Sequence, residues 1–301
     1  MKTTPIVEVA GLRKRYGTTN VLDGIDFAIP RGSVFSLLGP NGAGKTTAVN
    51  ILSTLTRPSG GTARVDGNDV VANAAAVRRA ISLTGQFATV DDLLTGRENL
   101  VMMARLLRLS RRDSKARAAT LLDRFDLADA ADRRASTYSG GMKRRLDIAI
   151  SMLARPTVLF LDEPTTGLDP RSRQGVWEFV RELVDDGVTV LLTTQYLDEA
   201  DQLADRIAVL DHGRIIAEGT PTELKRAVGT DLIDIRYADG TNATIPTDGS
   251  VAHLRTALAD AEATGVVASV GLRSPSLDDV FLTLTGHPAD TTPNAEEASD
   301  R

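Results

Sequence analysis

A chain of 301 residues has room for one large or two modest domains. A hydrophobic share of 42% with a charged share of 25% fits a soluble globular protein, and a net charge of −5 argues against a general nucleic-acid binder. The lack of cysteine excludes disulfides, thiolate metal sites and cysteine nucleophiles, and the scattered His212, His253 and His287 make no histidine-rich metal site.

No window supplies the ~18–20 uncharged apolar residues of a membrane span. Glu8 interrupts the only apolar run at the start, so residues 1–9 do not read as a signal peptide. The expectation is a cytoplasmic chain that meets a membrane only through a partner. Residues 6–9 and 21–29 read as short strands, with Tyr16 on the loop between them. Tyr16 offers a flat face to an adenine ring; the alternative is a half-buried packing tyrosine.

The apolar run from Val34 to Leu38 leads into Gly39-Pro40-Asn41-Gly42-Ala43-Gly44-Lys45-Thr46-Thr47. The string fits G-x-x-x-x-G-K-[ST], in which a buried strand, a glycine-rich turn and a helix start cradle phosphate. Gly39, Gly42 and Gly44 are expected in backbone angles closed to other residues, turning successive N–H groups toward an anion. The helix beginning near Lys45 adds its N-terminal partial charge. Lys45 would reach the β- and γ-phosphates, and the Thr46 hydroxyl would hold Mg²⁺. The loop reads as a nucleoside-triphosphate site.

Residues 47–54 and 73–80 read as helices, 62–66 as a strand, and 81–86 as a strand ending in Gln86. The Gln86 carbonyl could reach the metal and an attacking water. Residues 90–135 have helical apolar spacing and read as an insertion of three or four helices, either a grip for a partner helix or a structural lid. In Tyr138-Ser139-Gly140-Gly141-Met142 a hydroxyl and two glycines precede a helix, a second anion site. Either the chain binds two nucleotides, or this site faces the first across a dimer; a capped helix with a basic exposed face is the plain alternative.

Residues 157–161 form a continuous apolar run, as in a central parallel strand buried on both faces. It ends in Asp162, Glu163 and Pro164. A carboxylate at such a tip lies beside the phosphate loop, so Asp162 can hold the Mg²⁺ sphere and Glu163 can polarise water aimed at the γ-phosphate. Residues 165–170 read as a turn carrying Asp169, followed by a helix over 174–185 and a strand over 188–192, with 193–200 hanging at its end. Residues 204–210 and 214–218 read as a hairpin. Residues 231–284 have the order ββαβα, a small α+β unit without an identifiable site, and the polar residues 287–301 read as a disordered tail.

Taken together, the phosphate loop, Gln86, Tyr138-Ser-Gly-Gly-Met142, Leu161-Asp-Glu-Pro164 and Gly167-Leu-Asp169 resemble the ATP-binding subunit of ABC transporters in order and spacing. The resemblance spans about residues 6–220. It implies an α/β P-loop nucleotide-binding domain over 1–220, with an antiparallel β-subdomain and an inserted helical subdomain at about 90–138. An α+β accessory domain over 221–286 follows. It also implies metal-assisted ATP hydrolysis by a homodimer paired head to tail, with Ser139, Gly140 and Gly141 of one copy on the γ-phosphate held by the other and Asp169 near the interface. The cofactors implied are ATP and Mg²⁺, bound by Thr46, Gln86 and Asp162.

Two departures stand out. Tyr138 and Met142 replace the end residues of the usual Leu-Ser-Gly-Gly-Gln, and Gln195 stands where the family usually has a switch histidine. The Gln195 amide can donate to a γ-phosphate but cannot become cationic. Thr193-Thr-Gln-Tyr-Leu-Asp-Glu-Ala200 and Pro275-Ser-Leu-Asp-Asp-Val-Phe281 are similar to the daunorubicin/doxorubicin-resistance exporter ATPases. That similarity implies drug or amphiphile export through a separately encoded transmembrane permease, with this subunit peripheral on the cytoplasmic face. The rival classes are a soluble ABC-type ATPase acting on ribosomes or DNA, disfavoured by the single phosphate loop and acidic balance, and a weakly catalytic regulatory subunit, disfavoured by Glu163.

Overall fold

Unbroken apolar runs set the middle layer of the molecule, because a parallel strand covered on both faces has no polar side to show. The computed structural model describes residues 4–85 and 90–285. The tail expected over 287–301 and Gln86 lie outside the described residues. The chain divides into two compact units, one ending at Glu218 and the other beginning at Gly219.

The first unit opens with β1 (Val7–Tyr16), β2 (Thr19–Ile29), β3 (Val34–Leu38) and α1 (Lys45–Leu52). β4 (Gly60–Val65), β5 (Asn68–Asp69), α2 (Ala74–Ala80) and β6 (Ile81–Thr84) follow. The helical insertion holds α3 (Gly96–Leu106) and α4 (Arg111–Arg124) and gives way to α5 (Gly140–Ser151). Then come β7 (Val158–Asp162), α6 (Pro170–Asp185), β8 (Thr189–Thr194), α7 (Leu197–Leu203), β9 (Arg206–Asp211) and β10 (Arg214–Gly219).

β10-β9-β3-β8-β7-β6 is the order of the main sheet, parallel from β9 through β6, while β2-β1-β4-β5 form a separate antiparallel sheet. β3, β7 and β8 are buried along their whole length. Alternate residues serve opposite layers, as strand periodicity requires. Leu159, Leu161, Val190 and Leu192 pack with Leu100, Leu121 and Val176 on the helical side. Val158, Phe160, Leu191 and Phe35 pack with Ile51, Leu52 and Ile25 on the other.

The register decides where the chemistry goes. Leu38 pairs with Thr194 and Asp162 with Thr193, so β3, β7 and β8 end level with one another. The loop at 39–44, the Asp162-Glu163 pair and Gln195 therefore leave adjacent strand tips, the crevice where open α/β sheets bind ligands.

Several elements differ from their expected bounds. Tyr16 is the last residue of β1, paired with Thr19 at the tip of a hairpin, not on an open loop. α6 starts at Pro170, because Asp169 accepts the Ser172 N–H at 3.0 Å and proline is tolerated in a first helical turn. The stretch expected to hang after residue 192 instead extends β8 through Thr194 and then folds as α7. Tyr138 is buried, with its hydroxyl donating to the Ala130 carbonyl at 2.7 Å. Gly96 makes that possible: a Cβ there would stand 2.3 Å from the tyrosine oxygen.

The second unit contains α8 (Pro221–Val228), β11 (Asp231–Tyr237), β12 (Asn242–Thr247), α9 (Val251–Thr264), β13 (Val267–Arg273) and α10 (Leu277–Thr285). Its antiparallel sheet has the order β12-β11-β13, and Ile233 and Ile235 form a small core with Ala257 and Ala261 of α9.

Candidate active site

Residues 39–44 turn from β3 into α1. Gly42 and Gly44 have φ of +81° and +109°, the region that side chains disfavour. Gly39 departs from expectation: its constraint is space, since a Cβ would stand 2.1 Å from the Leu210 carbonyl oxygen. α1 begins without a side-chain cap and without an acidic residue in its first turn. No side chain competes for its first N–H groups, and its positive end faces the turn.

Lys45 is buried and donates to the carbonyls of Gly39 at 2.7 Å and Pro40 at 3.0 Å, with Glu163 at 3.6 Å. Burial pulls its pKa below the ordinary lysine value, and the charges of Glu163 and Asp162 oppose that pull. Thr46 donates its hydroxyl hydrogen to Asp162 at 3.2 Å, and the Thr193 hydroxyl makes a close hydrogen bond to the same carboxylate oxygen. Glu163 has φ of +48°, a left-handed backbone conformation that is strained for a residue carrying a side chain. Its N–H donates to the Thr193 carbonyl at 3.1 Å and the Thr193 hydroxyl at 3.2 Å, which fixes it there. Lys45, Thr46, Asp162 and Glu163 thus converge at one crevice.

Ser139, Gly140, Gly141 and Asp169 gather elsewhere. Ser139 caps α5 by accepting the Met142 N–H at 3.3 Å. Gly140 and Gly141 lie against Leu168 and Ser172, and a Cβ on Gly141 would come within 2.6 Å of the Ser172 hydroxyl oxygen. Asp169 takes the Ser172 hydroxyl at 2.6 Å, and that bond, with the backbone one, holds its pKa below the usual carboxylate range. Ser139, Gly140 and Asp169 are exposed. Among the described residues no hydrogen bond or ion pair joins this cluster to the phosphate loop.

The match to known proteins decides the family. Residues 22–166 match the model described as ABC transporter. The "Daunorubicin/doxorubicin resistance ATP-binding protein DrrA" of Streptomyces peucetius is 52% identical, over 100% of this chain and 99% of that one. The chain belongs to the ABC transporter family. It is the ATP-binding, ATP-hydrolysing kind of subunit. The "Doxorubicin resistance ATP-binding protein DrrA" of Mycobacterium tuberculosis is 47% identical, with 98% of each chain covered. A solved ABC ATP-binding cassette, a dimer in a post-hydrolysis state bound to ADP and phosphate, superposes with a TM-score of 0.64 at 25% identity, over 71% of this chain and 98% of that one.

Two remaining positions stand apart from the crevice cluster. Tyr16 is 49% exposed, and the Lys14 ammonium lies 4.6 Å from its ring centroid. Gln195 directly follows β8, and its buried Oε1 finds no hydrogen-bond partner among the described residues. An unpartnered buried acceptor is costly unless a ligand or water completes it.

Sequence reasoning passed over three residues of this ABC subunit. Thr193 holds both Asp162 and the Glu163 backbone, a role visible only through the β7–β8 register. Glu199 is fully buried and accepts from Thr165 at 2.8 Å and Trp177 at 3.1 Å. Arg144 reaches the backbone around Glu163 from α5. Nothing local in the sequence marks these contacts, because their partners are remote along the chain.

Proposed function

We propose that this subunit hydrolyses Mg-ATP in a head-to-tail homodimer and so powers export of a drug or other amphiphile through a separate permease on the cytoplasmic face of the membrane. The convergence of Lys45, Thr46, Asp162 and Glu163 carries the reading. The Thr46 hydroxyl and Asp162 carboxylate are hard oxygen donors of the kind magnesium takes alongside substrate phosphates and waters, and Gln86 is the third assigned ligand. When bound, Mg²⁺ neutralises charge developing on the phosphate oxygens.

Lys45 exchanges its contacts with the Gly39 and Pro40 carbonyls for the β- and γ-phosphates. Residues Asn41, Gly42, Ala43, Gly44 and Thr47 line or follow the turn, and the turn's N–H groups meet the phosphates. Glu163 orients the attacking water and takes its proton, giving ADP and phosphate. The Gln195 amide donates to the γ-phosphate, and Tyr16 stacks on the adenine. Ser139 and Gly140, exposed, and Gly141 behind them, all separate from the chain's own loop, close over the nucleotide of a second copy, with Asp169 beside them. The dimeric cassette bound to ADP and phosphate supports that pairing.

For the permease, a cleft of about 780 Å³ between α2 and the helical insertion is lined by Leu107, Leu109 and Leu153 together with Arg78, Arg79 and Arg117. It suits an apolar segment with acidic ends. No helix among the described residues is long and apolar enough to cross a membrane. Relatives named for daunorubicin and doxorubicin resistance support a drug as cargo.

Glu163→Gln tests the mechanism. It should bind MgATP, lose turnover and accumulate an ATP-dependent dimer on gel filtration; parental hydrolysis would remove Glu163 from the water-activating role. Affinity capture in mild detergent from cells expressing neighbouring membrane proteins should recover a permease. Ribosomes or nucleic acid in its place would overturn the export reading.

A further inference from the structure

Arg144 lies in α5, five residues beyond Ser139, or about one and a half helical turns. Its side chain is only 11% exposed, and each nitrogen of the guanidinium has an acceptor. Nε donates to the Pro164 carbonyl at 2.7 Å, and Nη2 to the Asp162 carbonyl at 3.3 Å. Nη1 donates to the Gly85 carbonyl at 3.1 Å and to the Asp147 carboxylate at 3.1 Å. The carbonyls of Asp162 and Pro164 are the two that flank Glu163, and Gly85 immediately precedes Gln86. One planar fork therefore spans α5, the end of β6 and the turn after β7. Neither a lysine nor a glutamine presents that many fixed donors.

The turn that Arg144 grips is also packed against the Ser139 end of α5. Leu168 lies beside Gly140 and Ser172 beside Gly141, while Thr165 is tied to the buried Glu199. The exposed half-site at Ser139 and the water-orienting carboxylate thus share one rigid path through this chain. We propose that Arg144 is a positioning residue that joins the Ser139 half-site, offered to a second copy, to the backbone on both sides of Glu163, so that closure of one interface sets the carboxylate of this chain's own site. The inference rests on the dimer reading above. It assigns Arg144 no contact with nucleotide.

Arg144→Lys keeps a cation beside Asp147 but loses the fork. The paired variant Arg144→Gln with Asp147→Asn removes the buried charges together, so that no carboxylate is left orphaned. Both should keep the parental melting temperature within a few degrees and bind ATP with affinity within about twofold of the parent, while kcat falls about tenfold or more, as misplacement near 1 Å can cost. Arg144→Lys at parental kcat overturns the proposal, as does a loss explained wholly by weaker ATP binding.

A double-mutant cycle then separates coupling from local support. If Arg144 carries the link, Ser139→Ala combined with Arg144→Lys should lose little more kcat than the worse single variant. Losses that simply multiply overturn the link. In the Glu163→Gln background, MgATP-driven dimerisation is read separately by gel filtration. A chain that stays monomeric defeats the dimer reading and this inference with it; a chain that dimerises while the losses multiply defeats this inference alone.

Discussion

The phosphate loop and the Ser139 turn each set glycines before a helix N-terminus, yet their surroundings are opposite. Around the loop, Lys45 and Asp162 are buried, and every charge already has a partner inside the chain. Around Ser139 the polar groups are exposed, and among the described residues the side-chain hydrogen bonds of Ser139 and Asp169 are those that cap α5 and α6. A buried charge must be organised before the ligand arrives, since an unpaired one costs several kcal/mol. An exposed cap carries no such cost and can wait for a second surface. The loop is a finished half of a site, and in the proposed dimer the Ser139 turn is the half it lends out.

The strongest blow to the loop is the smallest addition to it. Gly39→Ala forces a methyl group onto the Leu210 carbonyl, so ATP binding by fluorescent-nucleotide titration should vanish. Binding at parental affinity would show that the loop is not held by that packing. Ser139→Ala should act on the other half alone, lowering kcat by about 100-fold while ATP affinity of the dilute chain stays within about twofold. A matching loss of affinity would place Ser139 in its own chain's site and erase the contrast.

A smaller effect is expected at the periphery. Tyr16→Ala removes a stacking partner worth ~1–3 kcal/mol, so the Kd for ATP should rise by roughly 5- to 150-fold, with Tyr16→Phe close to the parent. No change with alanine returns Tyr16 to a packing role. The subtlest test concerns Glu199, where burial pushes the pKa up against hydrogen bonds from Thr194, Thr165 and Trp177. The folded chain keeps a proton that the unfolded chain releases, so this group's contribution to stability falls as pH rises from the ordinary carboxylate range through the raised value. Glu199→Gln lacks that loss. Its melting temperature relative to the parent should therefore improve between pH 5 and pH 8; a flat difference would show that Glu199 is ionised in the fold.

Much of the nucleotide site was legible because its signals are local. A short run with four apolar residues before Gly39 to Thr47, and another with four before Asp162 and Glu163, mark buried strands whose tips must carry the loops. Asp169 followed by Pro170 is a local helix-start signal inside a stretch, 165–170, that otherwise reads as a turn. Thr193 and Arg144 were not legible, since each acts on residues far away in sequence: Thr193 on Asp162, Arg144 on Gly85 and Pro164.

The sequence by itself determined the order of strands and helices, the phosphate loop and the acid pair, since short-range periodicity and turn chemistry are written in neighbouring residues. Only the tertiary structure decided which groups meet. Parallel register set Asp162 beside Thr193 and Leu38 beside Thr194, and packing made Gly39 a matter of space. Those outcomes depend on how distant segments fill one volume, which no local pattern encodes.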